Sequence, residues 1–340
     1  MTHSNHKLLT IAIPTYNRCD DLVCLLHQIY KTDLHEVEVL VSDNGSIDKT
    51  LELCQAFVCH QNFRLVRNYS NKGFDSNIKS LLEHVASTYV WFISDDYRVS
   101  VDLIQKIISL CRKNTYSSIL IDAKVVKKSS PDAVIISSLG NGDTDYRITG
   151  LKYIDPGIFR WSTLLSSIVV RYNDLPFKDL ELAMGTNFSP LAIFWLVSRN
   201  RSVFFLRSIK LTKQDGNISD FGSTDAFVWL NGMICAYSFL SSYGFPQNNI
   251  KDSISTIFKP GVFNESGIVV HYLLSKIREQ SLTKVKLADV YAVSNQSFLE
   301  KVVLKLISLL PPKTLIFLYQ LFKKPALVIK SLLFFDQQAF

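Results

Sequence analysis

The first hundred residues repeat one pattern, in which a short apolar run ends in a polar cluster and is followed by an amphipathic stretch. Leu9-Thr10-Ile11-Ala12-Ile13 runs into Pro14-Thr15-Tyr16-Asn17-Arg18. Residues 20–30 then place Leu22, Leu25, Leu26 and Ile29 at helical spacing, with Asp20 and Asp21 in the first turn, where acids oppose the helix dipole favourably. Val37 to Val41 reads as a second strand ending at Ser42-Asp43-Asn44-Gly45, a turn signature. Residues 47–58 read as a helix, Phe63 to Val66 as a strand, and Asn71-Lys72-Gly73 as a loop. Ile78, Leu81, Leu82 and Val85 mark a third helix, and Tyr89 to Ile93 is an apolar strand ending at Ser94-Asp95-Asp96. A further helix is expected from near Val101.

Alternation of this kind predicts a mainly parallel sheet covered by helices on both faces. Parallel strands point their carboxyl ends the same way, and ligands of such sheets bind outside those ends. Thr15 to Arg18, Asp43 and Asn44, Asn71, and Asp95 with Asp96 are therefore expected along one rim.

The rest of the chain carries weaker signals. Ile119 to Val126 and Val134 to Ser138 read as a strand pair around Ser129-Ser130-Pro131-Asp132. Leu164 to Arg171 reads as a strand and Phe188 to Val197 as a helix. From about residue 222 the chain reads as helical, with Pro246 and Pro260 as breaks. The expected organisation is a catalytic domain over residues 1–220, with a donor-binding half at about 8–113 and an acceptor half at about 114–220. A helical C-terminal region follows over 221–340.

At 47 % hydrophobic and 20 % charged residues, 340 residues suffice for a sizeable core, and the chain is too apolar to be disordered. The six cysteines form no CxxC pair and sit near no His at ligand spacing, so reduced, packed thiols are expected. No segment reaches the roughly 18 uninterrupted apolar residues of a spanning helix. The MTHSNHK start has no apolar stretch of signal-peptide length, so a cytoplasmic location is expected. The net charge of +7 suits anionic lipid, diphosphates or nucleic acid alike. No nucleic-acid-binding module accompanies it, and none of that partnership is expected.

Asp95-Asp96 carries the most chemistry. Adjacent carboxylates after a buried strand are costly unless a cation meets them. Mg²⁺ or Mn²⁺ binds through one or two carboxylates plus phosphate oxygens. The same pair also suits a solvated turn that caps the next helix. Asp43 reads as a turn residue, or as an acceptor for a nucleobase. In the first loop, Tyr16 offers a face for base stacking, Asn17 a helix cap and Arg18 a phosphate ligand.

Taken together, IAIPTYNR, VLVSDNGSIDKT, NKGFDSN and YVWFISDD resemble the family 2 glycosyltransferases of the GT-A fold, over roughly residues 8–113. The resemblance implies a nucleotide-sugar donor, a divalent cation and normally a single inverting displacement. It places Pro14, Thr15, Tyr16, Asn17 and Arg18 in the first nucleotide-binding loop. Asp43 becomes the base-contacting acid, with Asn44 and Ser46 beside it. Asn71 and Gly73 match the Asn-x-Gly loop, Asn77 a polar position on the next helix, and Asp96 the metal acid. Asp95 faces the donor's sugar or ribose. Two departures stand out: Ser94 and Tyr97 occupy positions where the family's motif usually has acids. The usual Glu-Asp pair that supplies the general base is not evident, and Asp179 and Glu181 are the nearest candidates.

The Trp-Phe-Ile-Ser-Asp-Asp form is similar to the branch that includes O-antigen abequosyl- and tyvelosyltransferases. That implies a CDP-dideoxyhexose donor and a polyprenyl-diphosphate-linked glycan acceptor in bacterial surface polysaccharide synthesis. Residues 301–335 carry Lys301, Lys305, Lys313, Lys323, Lys324 and Lys330 with no acid, among apolar stretches split by Pro311-Pro312. Such a tail suits an anionic membrane surface on the inner face of the cytoplasmic membrane, or a helical cap with its lysines in water. A dehydrogenase or nucleotidyltransferase would place a glycine-rich turn after the first strand, where this chain has Pro-Thr-Tyr-Asn-Arg. The remaining rival is a non-catalytic nucleotide-sugar or carbohydrate-binding protein on the same fold.

Overall fold

The computed structural model describes residues 6–127, 130–137, 142–152, 155–184, 186–215, 223–257, 272–273, 286–293, 295–296, 298–311 and 313–317. They fall into two compact units: residues 1–152 with 157–216, and residues 153–156 with 217–340.

The first unit is built on a ten-stranded sheet. Its strands and helices open in strict alternation: β1 (Leu9–Thr15), α1 (Cys19–Ile29), β2 (Val37–Asp43), α2 (Thr50–Phe57), β3 (Phe63–Arg67), α3 (Phe74–His84) and β4 (Tyr89–Phe92). The chain continues through β5 (Tyr97–Arg98), α4 (Val101–Lys113), β6 (Ser118–Lys127), β7 (Ser130–Ser137), β8 (Tyr146–Thr149) and α5 (Pro156–Trp161). It ends with β9 (Ile168–Arg171), α6 (Phe177–Leu180), α7 (Ser189–Ser198) and β10 (Ser202–Asp215). The strand order is β3-β2-β1-β4-β9-β6-β10-β5, with β7 beside β6 and β8 beside β10.

Every residue of β1, β2 and β4 is buried, as expected of parallel strands with helices on both faces. α1 buries Leu22, Leu25, Leu26 and Ile29, the stripe its 3.6-residue period sets. α4 starts on Ser100, whose Oγ accepts from the Leu103 amide at 3.2 Å. It stops at Asn114, in the left-handed conformation at φ 50°.

The four strands β3, β2, β1 and β4 are mutually parallel, with Thr15 opposite Asp43 and Asp43 opposite Arg67. β9 then inserts antiparallel between β4 and β6, so β6 and β10 run the same way as β4. Beyond β4 the sheet is mixed rather than mainly parallel, because β7, β8 and β5 join it antiparallel. The strand expected over 164–171 begins with a 3₁₀ turn at Leu165–Ser167 and becomes extended only at Ile168. β7 starts at Ser130, inside the expected turn. Cys54 and Cys111 are packed as expected, whereas Cys24 and Cys59 are exposed.

In the second unit the described helices are α8 (Ser223–Ser242), α9 (Gln247–Ile257), α10 (Leu287–Val293) and α11 (Phe298–Leu309). α11 buries Val303, Leu304 and Ile307 and exposes Lys301 and Lys305. No helix among the described residues is long and apolar enough to cross a membrane.

Candidate functional site

The carboxyl ends of β1, β2 and β4 and the loop before α3 surround a cleft of about 450 Å³. Pro14, Thr15, Tyr16, Arg18, Asn44, Asn71, Gly73, Phe74, Asn77, Ser94 and Asp95 line it. The cleft lies at the strand ends the sequence pointed to, but Asn17, Asp43, Ser46 and Asp96, expected in the same site, are not among the residues that line it.

The loops after β1 and β2 are tied to each other. The Asn17 amide donates to Ser46 Oγ at 2.8 Å, and Asn17 Oδ1 accepts from the Ile47 amide at 2.9 Å. Asn17 is thus not the cap expected for α1. It sits at φ 52° and uses its side chain across the loops, while α1 begins after Arg18 without a side-chain cap. Tyr16 remains 38 % exposed, which leaves a ring face open in the cleft wall. Gly45, at φ 79°, lets the β2 loop pass the backbone of Ser70: a Cβ there would lie 2.7 Å from it.

Asp43 is fully buried. Its Oδ1 accepts from the Ser46 amide at 2.9 Å, and its Oδ2 lies 3.5 Å from Arg67 Nε with no hydrogen-bond partner. Asn44 organises the third loop. Its amide nitrogen donates to Asn71 Oδ1 at 2.8 Å and to the Gly73 carbonyl at 3.2 Å. Its Oδ1 accepts from Asn68 Nδ2 and the Lys72 amide, both at 3.1 Å. Asn77 is largely buried in the cleft wall. It accepts from Ser42 Oγ at 2.6 Å and donates to the Ser42 carbonyl at 3.1 Å, pinning α3 to β2.

The acid corner lies where β4 ends. Thr15 Oγ1 donates to Asp95 Oδ2 at 2.8 Å, and Arg18 Nη1 reaches Asp95 Oδ1 at 3.5 Å. Burial raises the Asp95 carboxyl to about 7, against the pull of Arg18. Asp96 goes the other way. Burial works to raise it, but the Lys213 ammonium, Ser94 and Arg18 together hold it below the usual carboxylate range. Lys213 Nζ lies 3.4 Å from Asp96 Oδ2, and Arg18 Nη1 lies 3.8 Å from the same oxygen. The pair does not cap α4; Ser100 does.

Asp96 Oδ1 is buried without a hydrogen bond, a hard oxygen donor suited to Mg²⁺ or Mn²⁺. Among the described residues no three His, Cys, Asp or Glu side chains are grouped to hold a metal. A cation at this corner would have a single carboxylate, Asp96, as its protein ligand.

Asp179 and Glu181 are not part of the cleft wall. Asp179 lies on the single turn of α6, and Glu181 is largely exposed, 3.4 Å from Lys79 Nζ. Sequence reasoning missed Arg67, Asn68, Asp75 and Lys213. Arg67 ends β3 and Asn68 follows it, so both were within reach of the same strand-end reasoning. Lys213 carried no local signal, because β10 was not predicted.

The profile described as Glycosyl transferase family 2 matches residues 10–153. Glycosyltransferase GlyG of Streptococcus pneumoniae serotype 4 is 29 % identical over 100 residues, covering 29 % of this chain and 33 % of that protein. Abequosyltransferase RfbV of Salmonella typhimurium is 31 % identical over 99 residues, 28 % of this chain and 30 % of that protein. The chain thus spans about a third of the length of the curated relatives it matches. In three dimensions it is similar to Staphylococcus aureus TarS 1–349 in complex with UDP, with a TM-score of 0.56 at 16 % identity, over 73 % of this chain and 70 % of that one. At that identity the likeness concerns the fold. The strand-end cleft and its motifs lie inside the matched segment, so residues 10–153 resemble glycosyl transferase family 2, on a GT-A fold.

Proposed function

We propose that this protein transfers a sugar from a nucleotide-sugar donor, seated in the strand-end cleft, to a polyprenyl-diphosphate-linked glycan in bacterial surface polysaccharide synthesis. The observation that carries the reading is the convergence of Tyr16, Arg18, Asn44, Asn71 and Asp95 on one cleft of about 450 Å³. An exposed ring for a base, amides for a ribose and a guanidinium for phosphate stand there together. The similarity to an abequosyltransferase supports a CDP-dideoxyhexose as the donor.

In this reading Asp43, through its unbonded Oδ2, accepts a hydrogen bond from the base, and Asn44, Ser46, Asn71, Gly73 and Asn77 shape the loops around it. Asp95 faces the sugar or ribose. Arg18 faces the diphosphate, as a planar guanidinium suits phosphate oxygens. The acceptor hydroxyl oxygen bonds to the anomeric carbon while the carbon–oxygen bond to the nucleoside diphosphate breaks. The diphosphate leaves with the electron pair, and the hydroxyl proton passes to a base on the acceptor side. Asp179 and Glu181 are the candidates there, and Glu181 must first leave Lys79. Asp96 would hold the divalent cation, Mn²⁺ or Mg²⁺, which when bound offsets charge on the departing diphosphate.

The test is a panel of CDP-, UDP- and GDP-sugars, with Mn²⁺ or Mg²⁺ and without either. Binding is followed by thermal shift and slow donor hydrolysis by product analysis. Asp96→Ala should fold normally and lose about a hundredfold or more in hydrolysis. Full activity in that variant would refute the metal assignment, and failure of every nucleotide to bind would end the whole reading.

A second reading, a binding protein without turnover, is favoured by the position of Asp179 and Glu181 outside the cleft wall. Tight donor binding with no turnover in the same panel would select it. A lipid-linked acceptor suits a location on the cytoplasmic face of the membrane. Exposed Lys301, Lys305 and Lys313, with exposed Leu309 and Phe317, support contact of the C-terminal segment with anionic lipid.

A further inference from the structure

Two cationic side chains hold Asp95, which lines the cleft, and its neighbour Asp96. Arg18 Nη1 lies 3.5 Å from Asp95 and 3.8 Å from Asp96, and Lys213 Nζ lies 3.4 Å from Asp96. Two carboxyl groups thus face two cationic side chains. Lys213 reaches this place through the sheet. It pairs with Val125 on β6 in parallel and with Tyr97 on β5 in antiparallel register.

Tyr97 completes the arrangement. It stands where the resembling family has an acid, so one negative charge is absent beside Asp96. In its place is a buried ring whose centroid lies 5.8 Å from the Lys213 ammonium. A ring face within about 6 Å attracts such a cation. Tyr97 and Lys213 therefore shift the local balance in the same direction, and a divalent cation that binds Asp96 must compete with a tethered ammonium. The Lys213 side chain is 29 % exposed on a flexible stem, so it has room to leave.

We propose that Lys213 is the internal counter-ion of Asp96: it occupies the metal acid in the nucleotide-free protein and makes divalent-cation binding depend on the donor's diphosphate. The diphosphate gives the ammonium an alternative partner and the cation further oxygen ligands, so nucleotide and metal each strengthen the binding of the other. This rests on the donor reading of the cleft given above.

Mn²⁺ binding to the nucleotide-free protein, read by electron paramagnetic resonance of the free ion, tests it. Lys213→Met should tighten Mn²⁺ about fivefold, as expected for removal of a partly exposed ion pair worth about 1 kcal/mol. Lys213→Arg should match the wild type, and Asp96→Asn should abolish binding in both backgrounds. Saturating UDP or CDP should tighten Mn²⁺ strongly in the wild type and less in Lys213→Met. Unchanged or weaker Mn²⁺ binding in Lys213→Met overturns the proposal, as does the absence of Mn²⁺ binding in both proteins. Lys213→Gln, with the same melting temperature as the wild type, serves if the Met variant does not fold. Titrations of UDP, CDP and GDP without metal separate the two readings. If none binds, the donor assignment fails, while the nucleotide-free Mn²⁺ comparison still decides the role of Lys213.

Discussion

Asp95 shows how a single side chain ties this site to pH. Its carboxyl is 3 % exposed, and burial raises it from an ordinary 3.8 to about 7. The folded state therefore binds a proton that the unfolded chain releases more readily. The stability this provides is full below about pH 4 and is lost as pH rises towards about 7. Asp95→Asn should flatten that part of the stability–pH curve, measured by urea unfolding between pH 4 and 8. An unchanged slope would show that Asp95 ionises normally. Residue-level reading of the sequence placed Asp95, Asp43 and Asn44 at strand ends, as found; Asn44 and Asp95 line the cleft, whereas Asp43 is buried outside its lining. It placed the Asn17 side chain on the wrong partner, because a hydrogen bond across two loops competes with helix capping and only the folded geometry decides between them.

At the scale of elements, α3 and α7 are joined by one carboxylate. Asp75 accepts from the Asn187 amide at 2.6 Å, the Ser189 amide at 3.3 Å and Ser189 Oγ at 2.7 Å. It caps α7 from a helix 112 positions earlier in the chain, where the free amides and the dipole favour an anion. Asp75→Ala leaves the two buried Ser189 donors unpaired and should cost about 2–3 kcal/mol in urea unfolding. A loss under about 0.5 kcal/mol would mean that water replaces the carboxylate. α1, α3 and α4 were legible because each carries an amphipathic stripe. α7 was legible by its apolar run alone, and its cap was not. β10 was missed although it is long. Its pairing with β6 breaks between Leu206 and Leu211, so Leu211 to Asp215 pair on the far side of an irregularity that a period-two reading does not cross.

For the whole molecule, the basic C-terminal segment divides into a described part and a remainder. α11 buries Val303, Leu304 and Ile307 and turns Lys301 and Lys305 outward. Lys323, Lys324 and Lys330 lie outside the described residues. If the segment also meets anionic lipid, removing residues 318–340 should lower sedimentation with phosphatidylglycerol vesicles while the catalytic unit still binds nucleotide. Equal sedimentation would leave packing as its whole role.

The sequence alone determined that strands and helices alternate, that the first strands are parallel, and that Thr15, Asp43, Asn71 and Asp95 come to one edge. Burial on both faces, helix period and turn chemistry are all written in neighbouring residues. Only the tertiary structure decided that Lys213 meets Asp96, that Asp75 caps α7, and that Asp179 and Glu181 stay out of the cleft wall. Such contacts depend on which distant strands pair and in what register, and no local pattern encodes that choice.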